Sequence, residues 1–154
     1  MTEPAPAPGP FLRLHASCVA VEGVGVLIRG ASGAGKSDLA LRLVDRGGVL
    51  VADDQVIVRA AATGDGGSRL LASAPPALAG LIEVRGMGIA RLPHLAETAL
   101  GLLVDLRAGG EAERLPEPWR EEVLGHGVPG LRLDPFHASA DARIRLAVRG
   151  LILP

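Results

Sequence analysis

Eight consecutive residues carry the strongest chemical signal in this chain. Gly30-Ala31-Ser32-Gly33-Ala34-Gly35-Lys36-Ser37 satisfies the pattern G-x-x-x-x-G-K-[ST] at every fixed position. Each residue type has a physical reason to be there. A triphosphate needs several N–H donors converging on it, and glycines let the backbone turn tightly with no side chain in the way. A helix starting near Lys36 adds the positive end of its dipole. Lys36 sets a point charge on the outer phosphates, and the Ser37 hydroxyl suits Mg2+, a hard cation that takes oxygen ligands. The chain has 21 Gly, one Lys and nine Ser or Thr among 154 residues. At those frequencies the pattern arises by chance in about one such chain in a thousand. The bland alternative is a glycine-rich strand-to-helix turn with a solvated lysine. The dinucleotide fingerprint G-x-G-x-x-G is absent, since Gly33 and Gly35 are followed by Asp38 where the third glycine would stand.

Two acidic sites could work with that loop. Asp53-Asp54 directly follows the apolar run Val49–Ala52. Open α/β sheets bind ligands at the carboxyl ends of their strands. The strand–helix–strand rule brings this strand near the one that feeds the loop. One carboxylate there serves a metal shell, and a second invites a base that accepts a hydroxyl proton. The alternative is a solvated turn carrying two acids. The second site is Leu81-Ile82-Glu83-Val84-Arg85-Gly86-Met87-Gly88-Ile89. Glu83 sits within an apolar strand, where a charge is costly unless paired or bound to a metal. Arg85 on the same face is a ready partner, so an edge-strand ion pair explains this segment as well as a functional role does. Gly86 and Gly88 permit close approach of a ligand.

The elements that must position these residues follow from periodicity. Leu12, Leu14 and Ala16 alternate with Arg13 and His15 as one strand. Val19–Val21 and Val24–Ile28 form a hairpin at Glu22-Gly23. Lys36–Arg46 has apolar residues at 39, 40, 43 and 44 and reads as a helix stopped by Gly47-Gly48. Val49–Ala52 is wholly apolar, as a buried central strand would be. Gln55–Ala60 and Arg69–Ser73 pair around Thr63–Gly67. Leu81–Val84 and Leu100–Leu106 are further strands, and Gly109–Leu124, polar and containing Pro116 and Pro118, is loop. Ser139 caps a last helix with Ala140, Ile144, Ala147 and Val148 on one face, ended by Gly150. Arg143, Arg145 and Arg149 on that helix form either a plain solvated face or a docking surface for an acidic partner. The expectation is an α/β fold, strand-rich with few helices. It comprises a disordered Pro/Ala-rich leader over 1–10 and a single P-loop domain over 11–154.

Composition narrows the function classes. Hydrophobic residues make up 48% and charged residues 21%, the balance of a globular chain. A net charge of −1 and 2% aromatics argue against nucleic-acid binding. The acidic, proline-broken N-terminus is no export signal, and no apolar stretch is long enough to span a bilayer, so the expected location is cytoplasmic, off the membrane. Cys18 is the one cysteine and reads as a small core residue. His94, His126 and His137 lack zinc-site spacing and read as structural or solvated. On residue type alone, His15 and Arg114 have the same bland reading.

In combination the motifs say more. His15, Gly30–Ser37 followed by Asp38, Val51-Ala52-Asp53-Asp54-Gln55-Val56, Ala74-Pro75-Pro76 and Ile82-Glu83-Val84-Arg85-Gly86-Met87-Gly88-Ile89 together resemble the HPr kinase/phosphorylase family. The likeness is greatest to the short form found in alphaproteobacteria, and it covers residues 15–110 best. It implies a P-loop kinase domain related in its nucleotide site to phosphoenolpyruvate carboxykinase. It implies ATP and Mg2+ as cofactors, and an HPr-type phosphocarrier protein as partner, phosphorylated on a serine. By position, Lys36 matches the phosphate-binding lysine, Ser37 and Glu83 the metal ligands, and Asp53 the carboxylate that accepts the serine proton. His15 matches the histidine before the loop, and Arg114 the arginine of the family's mobile loop. Full-length members add an N-terminal domain that this sequence does not show. Where the family carries a V-G-R-N-type stretch tied to phosphorolysis, this chain has Leu131-Arg132-Leu133-Asp134-Pro135-Phe136-His137-Ala138. A mainly forward kinase is therefore expected. A homo-oligomer is also open, although the helices that help build the family's hexamer end early, at Pro154. A nucleotide-sensing module that signals through a protein partner is the rival. It would keep the loop but would not need two carboxylates at the strand end.

Overall fold

A computed structural model describes residues 9–107, 109 and 114–152. Most of the expected leader lies outside them; Gly9 and Pro10 have no regular structure. Among the described residues the chain forms β1 (Phe11–Leu14), β2 (Ala16–Val21), β3 (Val24–Arg29), α1 (Lys36–Asp45), β4 (Val49–Ala52), β5 (Val56–Ala62) and β6 (Ser68–Ser73). A short 3-10 turn over Pro76–Leu78 precedes β7 (Leu81–Val84), β8 (Gly88–Arg91), β9 (Glu97–Leu106), β10 (Trp119–Val123), β11 (His126–Leu133) and α2 (Ala140–Val148). The α/β class and the excess of strand are as expected.

Strand alternation builds two cores, one on each face of the main sheet. Val19 and Val21 of β2, Val26 and Ile28 of β3, and Leu102, Val104 and Leu106 of β9 meet Leu39, Ala40 and Leu43 of α1 and Ile144 of α2. The intervening residues Cys18, Ala20, Leu27 and Leu103 face the other way, against Val56, Val58 and Leu70 of β5 and β6 and Val128 of β11. Cys18 is the small core residue expected, and burial pushes its thiol up to about 12.

The main sheet runs β1-β5-β6-β9-β3-β2-β4, with β11 on β9 and β10 on β11; β7 and β8 form a separate pair. β9 is parallel to both β3 and β11. β2 is antiparallel to β3 and to β4, so β4 runs the same way as β3. The carboxyl ends of β3, β4, β9 and β11 therefore open on one side. They lead into Gly30, Asp53, Arg107 and Asp134 respectively.

Four sequence-based expectations need correction. The strand expected over 12–16 is two strands broken at His15, because β1 pairs with β5 while β2 pairs with β3 and β4. β4 is buried but ends the sheet path, with β2 inserted between it and β3; Leu50 is covered by α1, and Val51 and Ala52 by residues of β5 and β6. The loop expected over 109–124 contains β10. Its charged residues masked the strand, yet Trp119–Val123 pairs along its whole length with Gly130–His126. Ser139 stands at the start of α2 without capping it, because its hydroxyl is bonded to the His137 ring and to Arg143.

The arginines of α2 are engaged within the chain. Arg149 holds Glu22 through Nε and Nη2, one edge of its guanidinium, and Arg145 bonds Asp141 and the Arg46 carbonyl. The hairpin turn at Glu22-Gly23, with both residues at positive φ, presents Glu22 to that contact. Arg29, the last residue of β3, is the densest junction. It pairs with Asp105 of β9 at 2.8 Å and 3.1 Å and makes two bonds to Glu121 of β10. This holds the Glu121 carboxyl below its ordinary 4.5.

Arg29→Met is expected to lower stability by about 1–3 kcal/mol, between the values for exposed and buried pairs, because two carboxylates then face each other unpaired. Glu121's folded pKa is depressed, so its contribution is present above pH 4.5 and is lost as pH falls through the lower folded value. Thermal unfolding midpoints of variant and parent should therefore converge below that pH. A constant gap down to strongly acid pH would refute the pairing energetics.

Candidate nucleotide-binding site

The expected phosphate loop bridges β3 and α1. Gly33 and Gly35 both adopt positive φ, +81° and +97°. Gly35 is the residue on which α1 starts, and no side chain caps the helix. The first backbone bond of the helix runs from the Leu39 N–H to the Gly35 carbonyl at 3.0 Å. The amides of Lys36, Ser37 and Asp38 are therefore the orphan donors of a helix start. Lys36 is 8% exposed, and its ammonium donates to the Gly30 and Ala31 carbonyls at 2.6 Å and 2.9 Å. The loop is thus closed on its own lysine.

Asp53 gathers three parts of the chain. Its carboxylate, 3% exposed, accepts the Ser17 hydroxyl of β2 at 2.7 Å and the Ser37 hydroxyl at 2.8 Å, both on Oδ1. Its Oδ2 accepts the Glu83 N–H of β7 at 3.2 Å. All three donors are uncharged, and no cationic side chain pairs with Asp53 among the described residues. The Ser37 hydroxyl, fixed by this carboxylate, and the Glu83 carboxylate of β7, whose backbone N–H bonds the same group, are oxygen donors of the kind a hard divalent cation takes.

The next residue points elsewhere. The Gln55 N–H bonds the Asp53 carbonyl at 2.8 Å, and Asp54 between them has φ +68°. This three-residue turn is strained for a residue other than glycine. It sends Asp54 outward, where its carboxylate meets His15 Nδ1 at 3.4 Å; both side chains are more than half exposed. His15 reaches Asp54 because the chain breaks there between β1 and β2.

The structure brings Lys36, Ser37, Asp53 and the backbone of Glu83 together, with His15 and Asp54 on the rim. The Glu83 side chain is exposed, and the expected pair with Arg85 does not form among the described residues. β7 belongs to a two-stranded ribbon, so Glu83 has water on its open face and needs no partner. Arg114, which the resemblance matches to the arginine of a mobile loop, is exposed on the segment after β9 and makes no side-chain hydrogen bond or ion pair among the described residues. His126 is held by Ser68 at the opposite ends of the strands, and His94 packs beside Gly80. Neither makes a hydrogen bond to the residues gathered around Asp53. Sequence reasoning missed Ser17. Its signal was a lone hydroxyl inside the apolar run Ala16–Val21, fully buried and so in need of an acceptor.

Comparison with known proteins shows the family and the fold. A family model described as HPr Serine kinase C-terminal domain matches residues 9–96. An HPr kinase/phosphorylase from Clostridium tetani is 40% identical over 113 residues, covering 73% of this chain and 34% of that protein. One from Clostridium acetobutylicum is 34% identical over 152 residues, covering 94% and 43%. The chain thus spans less than half the length of these curated relatives. The solved structure of the Hpr(Ser) kinase/phosphatase from Coxiella burnetii superposes with a TM-score of 0.73 at 26% identity, covering 91% of this chain and 95% of that one. The strand-rich α/β fold is that of this solved kinase.

Gly35→Ala tests the loop. Positive φ costs a residue with a Cβ about 1–2 kcal/mol, while that Cβ would rest in ordinary contact with Pro135 and Phe136 at 3.4 Å, so the cost comes from the backbone. We expect a stability loss of that size and weaker tripolyphosphate binding by calorimetry. Unchanged stability and binding would contradict this geometry.

Proposed function

Because the chain belongs to the HPr serine kinase C-terminal domain family, we propose that it is an ATP- and Mg2+-dependent protein kinase. Its acceptor is a serine of an HPr-type phosphocarrier protein in the cytoplasm. The observation that carries the reading is the Asp53 carboxylate bonded to the Ser37 hydroxyl of the phosphate loop.

Gly30–Ser37 receives the triphosphate on backbone amides, and Lys36 turns from its loop carbonyls to the outer phosphates. Ser37 and Glu83 would hold Mg2+, which offsets phosphate charge when bound. Asp53 accepts the proton of the attacking serine. Its Oδ2 takes only one N–H, so a lone pair is free for that proton. His15 and Asp54 line the rim where an acceptor protein would approach. Arg114, on the segment after β9, closes over the transferring group. The reverse reaction, phosphorolysis, is slower. Pro135 lacks an N–H, the Asp134 carboxylate repels phosphate, and Arg132 lies over the Trp119 ring at 5.0 Å.

Incubation with labelled ATP, Mg2+ and HPr from the same cell should yield phosphoserine on HPr. Its absence would overturn the reading. Lys36→Ala should abolish transfer and weaken ATP binding. Asp53→Asn should keep nucleotide binding and lose transfer by roughly 10²–10⁴, the range for a general base. Asp54→Asn should lose less; a larger loss would exchange the roles of the two acids.

A further inference from the structure

We propose that Phe136 is the platform on which the nucleobase stacks. The proposal rests on the reading of Gly30–Ser37 as a triphosphate loop and adds what that loop lacks. Its residues are Gly, Ala, Ser and Lys, which hold phosphates but offer no flat apolar surface to a base. Phe136 lies on the turn that follows β11, at the same side of the sheet as the loop after β3. Its ring reaches the phosphate loop itself: a Cβ on Gly35 would sit 3.4 Å from Phe136 Cζ and 3.5 Å from Cε1.

The ring is also open and its backbone is held. Phe136 is 65% exposed although it is one of only three aromatic residues in the chain. Its N–H donates to Asp134 Oδ1 at 2.9 Å, and the His137 N–H donates to the Asp134 carbonyl at 3.2 Å. The Arg42 guanidinium of α1 donates to the Pro135 carbonyl, tying this turn to the helix that starts at the phosphate loop. The other two aromatics are placed for different work. Trp119 lies under Arg132 and against Gly130, and Phe11 is on β1, the far end of the sheet path. A base has a π-face whatever its identity, so stacking recognises a nucleotide without base-specific hydrogen bonds.

The test separates phosphate binding from base binding. ADP and inorganic tripolyphosphate are titrated calorimetrically into the full chain and into its Phe136→Ala, Phe136→Leu and Phe136→Trp variants. Loss of the ring should weaken ADP roughly 5- to 150-fold, the range for one base–aromatic stack, and change tripolyphosphate less than twofold. Leu should behave like Ala, and Trp should retain ADP affinity. Equal loss of both ligands would mean that Phe136 only packs the loop and would overturn the proposal. So would unchanged ADP binding in Phe136→Ala, or a raised KM for the acceptor protein alone. If the parent binds neither ligand, the phosphate-loop reading itself fails, a result distinct from any of these.

Discussion

One carboxylate organises the reactive end of this molecule. Asp53 accepts hydrogen bonds from hydroxyls on β2 and at the start of α1, and from an amide of β7. A buried carboxylate stripped of water is costly, and here three neutral donors offset that cost. The phosphate loop could otherwise move against the sheet, since glycines give it little of its own stiffness. Through Ser37, the loop is referenced to a fixed point on β4. Through Ser17, that point is referenced to the strand inserted between β3 and β4.

The strained turn after Asp53 gives two adjacent acids different surroundings. Extended backbone would send neighbouring side chains to opposite faces of β4. The positive φ at Asp54 instead keeps both at the strand's carboxyl end, one inward and one on the rim. The sequence shows two acids after an apolar run; it does not show that they face different partners. That outcome depends on Ser17 and His15, 36 and 39 positions before their partners, and those positions come together through the β2–β4 register.

What could be read from sequence was local. The phosphate loop, α1, the β2–β3 and β5–β6 hairpins and α2 each carry their own signal in a short window. What could not be read depended on distant pairing. β10, with Arg120, Glu121 and Glu122, has the composition of a loop and becomes a strand because β11 offers it an edge. Glu121 finds Arg29, more than ninety residues away. The placement of β4 at the end of the sheet path is equally non-local, since an apolar run states burial and not which neighbour provides it. Glu83 misled for the opposite reason: an apolar context implied a buried charge, whereas its small ribbon leaves that face in water.

Strand β9 joins the two halves of the main sheet, β1-β5-β6 on one side and β3-β2-β4 on the other. Its first residues pair antiparallel with β6, and the rest pair parallel with β3 and β11. Its contacts with β3 join residues about 75 positions apart, as in Gly25 to Leu100. A chain emerging during synthesis therefore holds β3 and β6 as unpaired edges until residues near 100 are available. Loop closure over such distances is entropically slow, and open edges in the interim are templates for pairing with other chains. The molecule should thus fold late and all at once around β9, and its period of greatest risk of aggregation falls before that strand is inserted.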